Sequence, residues 1–154
     1  MRGGTENVAG VAGFGVAAEA SLRDLPYVEA HRPWRDAAEK VVTAAGAVII
    51  GAAVERLPNT LFMAVADWDS PQQVITLDLA GIMASGGSAC SSGKTKPSRA
   101  ILATGRGDLA AGGVRASGGW TTTEDDWIRF ATTWVKAYAA QRERIAERSK
   151  REVA

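Results

Sequence analysis

The chain has 154 residues, 46% apolar and 23% charged, enough for one ordinary domain with a real core. Its 18 basic and 17 acidic side chains leave a net charge of +1, which makes no electrostatic case for nucleic acid or an anionic membrane. One cysteine, Cys90, excludes an internal disulfide framework and fits a reducing compartment, most simply the cytoplasm; with one histidine, His31, it cannot complete an all-protein zinc site.

Residues 8–22, rich in alanine and glycine, predict a helix whose small side chains allow close packing against a neighbour. A second helix follows. Trp34, Ala37, Ala38, Val41, Val42 and Ala45 recur at helical spacing, and Arg35, Asp36, Glu39 and Lys40 take the other face. Pro33 suits its first turn and Gly46 its stop, while His31 reads as a surface position where the helix begins. The apolar run 41–54 is uncharged for 14 residues, short of the ~18 that span a membrane, and the N-terminus makes a poor secretory signal, so a soluble chain is expected.

The runs AVII (47–50) and LFMAVA (61–66) predict strands separated by a Pro58-Asn59 break. Ser70 as N-cap, Pro71 at the first helical position and Gln73 three residues after the cap predict a capping box opening a helix to residue 79. GIMAS (81–85) predicts a third strand, 97–104 a short helix, and GVRAS (113–117) another strand. Thr123 with Asp126 makes a second capping box, after which Trp127, Phe130, Ala131, Trp134, Tyr138 and Ile145 form one apolar stripe. Beyond Gln141 the sequence is nearly all charge, with Glu147 and Arg151 spaced for a helical ion pair. There are no internal repeats. The sum is an α/β sandwich of short strands with helices before, between and after them.

The stretch GGSACSSGKTKPS (86–98) surrounds Cys90 with glycine, serine and alanine, where a buried structural cysteine would have bulky apolar neighbours. A thiol acts through its thiolate, favoured by exposure and nearby positive charge, and Lys94 and Lys96 lie just downstream. Taken alone, a nucleophile and a loop cysteine with no task weigh about evenly. His31 lies far off in sequence and reads as a surface helix start, so a Cys-His pair is not expected. A glycine-rich phosphate cradle at 86–93 lacks the P-loop pattern.

SGGSACSSGKTKPSRAIL resembles the active-cysteine loop of the NifS/IscS-type cysteine desulfurases, pyridoxal-phosphate enzymes of the class V aminotransferase family. RGGTENVAGVAGFG resembles their Arg-x-Gly-Thr-x-Asn segment, and VRASGGWTTTEDDW their Val-Arg-x-Ser-x-Gly…Thr-Thr-Glu-Glu segment. These motifs stand in the family's order and, with the elements between them, cover most of residues 2–140. Smaller departures are GGW at 118–120 and the pair Gly86-Gly87.

The resemblance implies the small C-terminal domain of a fold-type I pyridoxal-phosphate enzyme, an α/β unit with a short mixed or antiparallel sheet and packed helices. Residues 1–25 would end the large-domain segment with the Arg-x-Gly-Thr motif. Residues 26–140 would form the small domain with the active loop at 85–96, and 141–154 a charged helix end. By the same resemblance Cys90 accepts sulfur from L-cysteine as a persulfide, with release of L-alanine, and can help ligate a nascent iron–sulfur cluster shared with a scaffold. Arg115 binds the substrate carboxylate, a task suited to a bidentate guanidinium. Thr5 reaches the cofactor phosphate of the other subunit in a homodimer, and Asn7 supports the substrate and cofactor region. Taken alone, Thr5 and Asn7 would pass as a helix N-cap region.

In the family a large domain precedes these segments and carries the Schiff-base lysine. The lysines here, at 40, 94, 96, 136 and 150, do not sit in that context. The expectation is therefore the C-terminal part of a cysteine desulfurase, inactive alone, serving an iron–sulfur scaffold or another sulfur acceptor. The alternatives are a stand-alone persulfide carrier or partner-binding module, which would have no need of Thr5 and Arg115, and a poorly folding fragment whose helix at 8–22 has lost the large domain it packed against.

Overall fold

The computed structural model describes residues 3–86 and 97–152. In chain order come α1 (Val8–Glu29), α2 (His31–Ala44), β1 (Val48–Ile49), β2 (Thr60–Ala64), α3 (Ser70–Leu79), β3 (Ser85–Gly86), α4 (Arg99–Ala103), a 3-10 turn (Gly107–Leu109), β4 (Gly113–Ser117) and α5 (Glu124–Glu152). The strands form one sheet in the order β1-β2-β4-β3, with every neighbouring pair antiparallel.

Alternation along the strands divides the sheet into two faces. Leu61, Met63, Val114 and Ala116 point to one face, where Ala38 and Val42 of α2, Leu77 of α3 and Trp127, Phe130, Ala131 and Trp134 of α5 complete the main core. Each such large apolar side chain contributes roughly 1.5–3 kcal/mol by leaving water. Among the described residues the other face, carrying Phe62, Ala64, Gly113 and Arg115, is covered at one end, by Ile101, Leu109 and Ala110 around α4. Gly113 permits that contact: a Cβ there would come within 2.7 Å of Ile101 Cδ1 and 3.2 Å of the Phe62 ring.

The Thr123–Asp126 capping box forms as expected, with Thr123 N–H donating to Asp126 Oδ2 at 2.9 Å and Asp126 N–H to Thr123 Oγ1 at 3.3 Å. These bonds to Thr123 hold the Asp126 carboxyl below its usual range. At α3 the expectation shifts by one residue. Asp69 is the N-cap, without a side-chain cap bond, and Ser70 opens the helix. Gln73 is buried instead of capping. Its Nε2 donates to the carbonyls of Trp68 at 2.6 Å and Gly112 at 2.9 Å, and its Oε1 accepts from Trp134 Nε1 at 2.9 Å. A buried amide can stay where its donors and acceptor are met, and Gln73 meets that condition across three segments.

Other expectations also change. Arg35 is buried, because its guanidinium reaches the Leu57 carbonyl at 2.7 Å as well as Asp36, so charge alone did not place it on the wet face of α2. His31 is 1% exposed and accepts a hydrogen bond from Trp127 Nε1 at 3.1 Å. Of GIMAS only the last residue is strand, since Gly81 takes a positive φ of 74° that ends α3 in a turn. The ion pairs among the described residues do not include Glu147 with Arg151. No helix among the described residues is long and apolar enough to cross a membrane.

α1 stands apart. It runs unbroken through Leu25 to Glu29 and buries none of its residues. Its tie to the rest lies at its C-terminal end, where the Tyr27 ring meets His31 edge-on at 5.8 Å.

Candidate active site on the open sheet face

Arg115 sits in the middle of β4, and its flanking residues Val114 and Ala116 are buried in the main core. The period of two therefore turns Arg115 to the opposite face, which α4 leaves open at this end. Its cross-strand neighbours are Phe62 on β2 and Ser85 on β3. Among the described residues Arg115 takes part in no ion pair, so the guanidinium fork is available to a carboxylate.

Cys90, together with Lys94 and Lys96, lies outside the described residues. The two ends of its segment are described, and both are fixed. Gly86 pairs with Val114 on β4, and a Cβ on it would come within 2.7 Å of Ser70 Oγ, so β3 packs tightly on the start of α3. At the other end Ser98 is buried, donates its N–H to the Ala110 carbonyl at 2.8 Å and caps α4 through Oγ. Residues 87–96 thus begin one position after the direct neighbour of Val114 and two after that of Arg115. Strand register, invisible to local patterning, is what relates Arg115 to the cysteine segment.

Thr5 and Asn7 are elsewhere. Asn7 caps α1, accepting the Gly10 N–H at 3.0 Å, as a plain N-cap does. Thr5 is exposed just before it. The 22 residues of α1 extend about 33 Å, and the helix meets the domain near Tyr27, so neither residue joins Arg115 within this chain.

A cavity of about 300 Å³ opens between Ile82, Met83, Ala116, Trp127 and Phe130. Ala116 and Trp127 belong to the helix-covered side, so this cavity is not part of the Arg115 face. No group of acidic, histidine and cysteine side chains among the described residues could hold a metal ion. The possible metal role of Cys90 falls outside them.

The aminotransferase class-V family model matches residues 1–130, and the chain belongs to that family. It is similar to a cysteine desulfurase of Cereibacter sphaeroides, 39% identical over 128 residues covering 80% of this chain and 33% of the relative. It is also similar to the cysteine desulfurase NifS of Azotobacter vinelandii, 37% identical over 129 residues covering 81% and 32%. A NifS-like protein from Rickettsia africae superposes with a TM-score of 0.74 at 27% identity, over 90% of this chain and 36% of that one. The chain spans about a third of the length of the curated relatives it matches.

Family members of this kind use pyridoxal phosphate, and the described residues do not fit that group by themselves. Their lysines are Lys40 on α2 and Lys136 and Lys150 on α5, all exposed. Both helices pack on the far side of the sheet from Arg115. Arg115 can hold a carboxylate, but no described amine accompanies it.

Proposed function

We propose that this chain is the C-terminal part of a cysteine desulfurase, comprising the α1 segment with the Arg-x-Gly-Thr motif (1–25), the small domain (26–140) and a charged helix end (141–154). The observation that carries the proposal is the position of Arg115: exposed on an open sheet face, one strand from the residues that lead into the Cys90 segment.

In this reading Arg115 binds the carboxylate of L-cysteine. The Cys90 thiolate then forms a bond to the substrate sulfur as the substrate carbon–sulfur bond breaks. Its electron pair stays with carbon, which is protonated, and L-alanine leaves. The persulfide on Cys90 passes to an iron–sulfur scaffold or another sulfur acceptor. Pyridoxal phosphate, held by a lysine that these residues do not supply, would provide the electron sink for carbon–sulfur cleavage. Thr5, with Asn7 behind it, serves the cofactor phosphate of the other subunit of a homodimer, in keeping with their separation from Arg115 here.

The test is complementation. The chain alone, given pyridoxal phosphate and L-cysteine, should release no alanine and retain no cofactor absorption after dialysis. Joined to the large domain of a cysteine desulfurase, it should release alanine, and Cys90→Ser should abolish persulfide formation. A joined protein that binds cofactor yet makes no alanine would overturn the proposal.

A further inference from the structure

We infer that Phe62 is a specificity residue of the Arg115 face: its ring is the platform on which the side chain of a carboxylate-anchored L-cysteine lies, and it selects a thiol over a hydroxyl. The inference rests on Arg115 being that anchor. Phe62 stands directly across from Arg115 on β2, so the two side chains share the open face. Its strand neighbours Leu61 and Met63 are fully buried in the main core, whereas Phe62 is half-buried and keeps part of its surface open among the described residues.

The ring leans along the sheet over Gly113, where an added Cβ would lie 3.2 Å from Phe62 Cε2 and 3.3 Å from Cζ. Gly113 precedes Arg115 by two positions, about 7 Å along β4. The missing side chain gives the ring its seat, and Ile101 backs it. The lean has a direction. Gly113 lies toward Ala110, whose carbonyl holds the Ser98 N–H, and beside Val114, the partner of Gly86. Phe62 therefore covers the side of Arg115 from which the Cys90 segment leaves and to which it returns. A cysteine held by its carboxylate and extended toward that segment carries its sulfur across an aromatic surface. A polarisable sulfur gains from that contact, while a hydroxyl stripped of water there loses. An apolar wall separates such near-isosteres by only about tenfold to a hundredfold, which sets the size of the effect to look for.

The test uses the chain joined to the large domain of a cysteine desulfurase, with L-cysteine as substrate and L-serine as competitive inhibitor. The readout is the ratio of the L-serine inhibition constant to the KM for L-cysteine. It should fall about threefold in Phe62→Leu, which stays apolar but loses the ring, and about tenfold in Phe62→Asn, through a raised KM for L-cysteine. A role confined to packing on Ile101 would lower the unfolding midpoint and weaken both amino acids alike, leaving the ratio unchanged. An unchanged ratio in both variants of an active parent would overturn this inference and leave the proposed function standing. So would a ratio that moves through L-serine alone. A joined parent that binds cofactor yet releases no alanine would overturn both.

Discussion

The Trp127 indole N–H donates to His31 Nδ1 across 3.1 Å of buried space, tying the first turn of α2 to the first turns of α5. The acceptor role fixes the ring proton on Nε2. Burial lowers the His31 pKa from its ordinary 6.5, opposed in part by a hydrogen bond to the Gly119 backbone. The neutral ring is therefore the native form.

The sign of the pH dependence follows. Above about 6.5 both folded and unfolded chains carry a neutral His31 and its contribution is constant. As pH falls below that value the unfolded chain takes up a proton that the folded chain resists, and stability declines until the lowered native pKa is passed. Urea unfolding at neutral and mildly acidic pH should show this loss, and His31→Gln, which can still accept from Trp127 but does not titrate, should remove the His31 part of it.

Gln73 joins three segments with one amide, and replacing it by leucine leaves Trp134 Nε1 and two carbonyls short of partners. A cost of about 2–4 kcal/mol is expected, read as a lowered urea midpoint with an unchanged slope.

Glycines at two places predict opposite outcomes. A Cβ on Gly112 would strike the Val65 carbonyl oxygen and approach the Trp68 carbonyl oxygen at 3.0 Å, backbone atoms that cannot rotate away. Gly112→Ala should cost roughly 3 kcal/mol or more. At Gly13 a Cβ meets nothing. Gly13→Ala should add about 1 kcal/mol to α1, visible as greater helicity in circular dichroism. The unfolding midpoint of the core should not move, because α1 contributes no buried residue to it.

Arg115 is exposed, so Arg115→Lys should leave unfolding unchanged. In the protein completed with a large domain, loss of the two-pronged carboxylate contact should lower kcat/KM for L-cysteine about 10–100-fold, the equivalent of one charge-assisted hydrogen bond. An unchanged value would remove Arg115 from substrate binding.

Local chemistry was legible where it is local. Thr123 and Asp126 cap α5 as their spacing implies, and Val114 with Ala116 alternate as strand residues must. What escaped were side chains whose fate depends on distant backbone. Arg35 is drawn inward by the Leu57 carbonyl, Gln73 by Gly112, and His31 by Trp127, each a partner more than 20 positions away. The same holds for the site. Motif resemblance singled out Arg115 and Cys90, but only the pairing of β3 with β4 relates Arg115 to the cysteine segment. The separation of Thr5 and Asn7 from Arg115 follows from how far α1 projects, which no local pattern encodes.

The outer strand Val48–Ile49 is only two residues long. A rim that short offers an incoming chain too few open amides and carbonyls to zip onto. That edge is thereby closed to growth by strand addition, and a partner that meets it must be recognised through side chains standing off its surface.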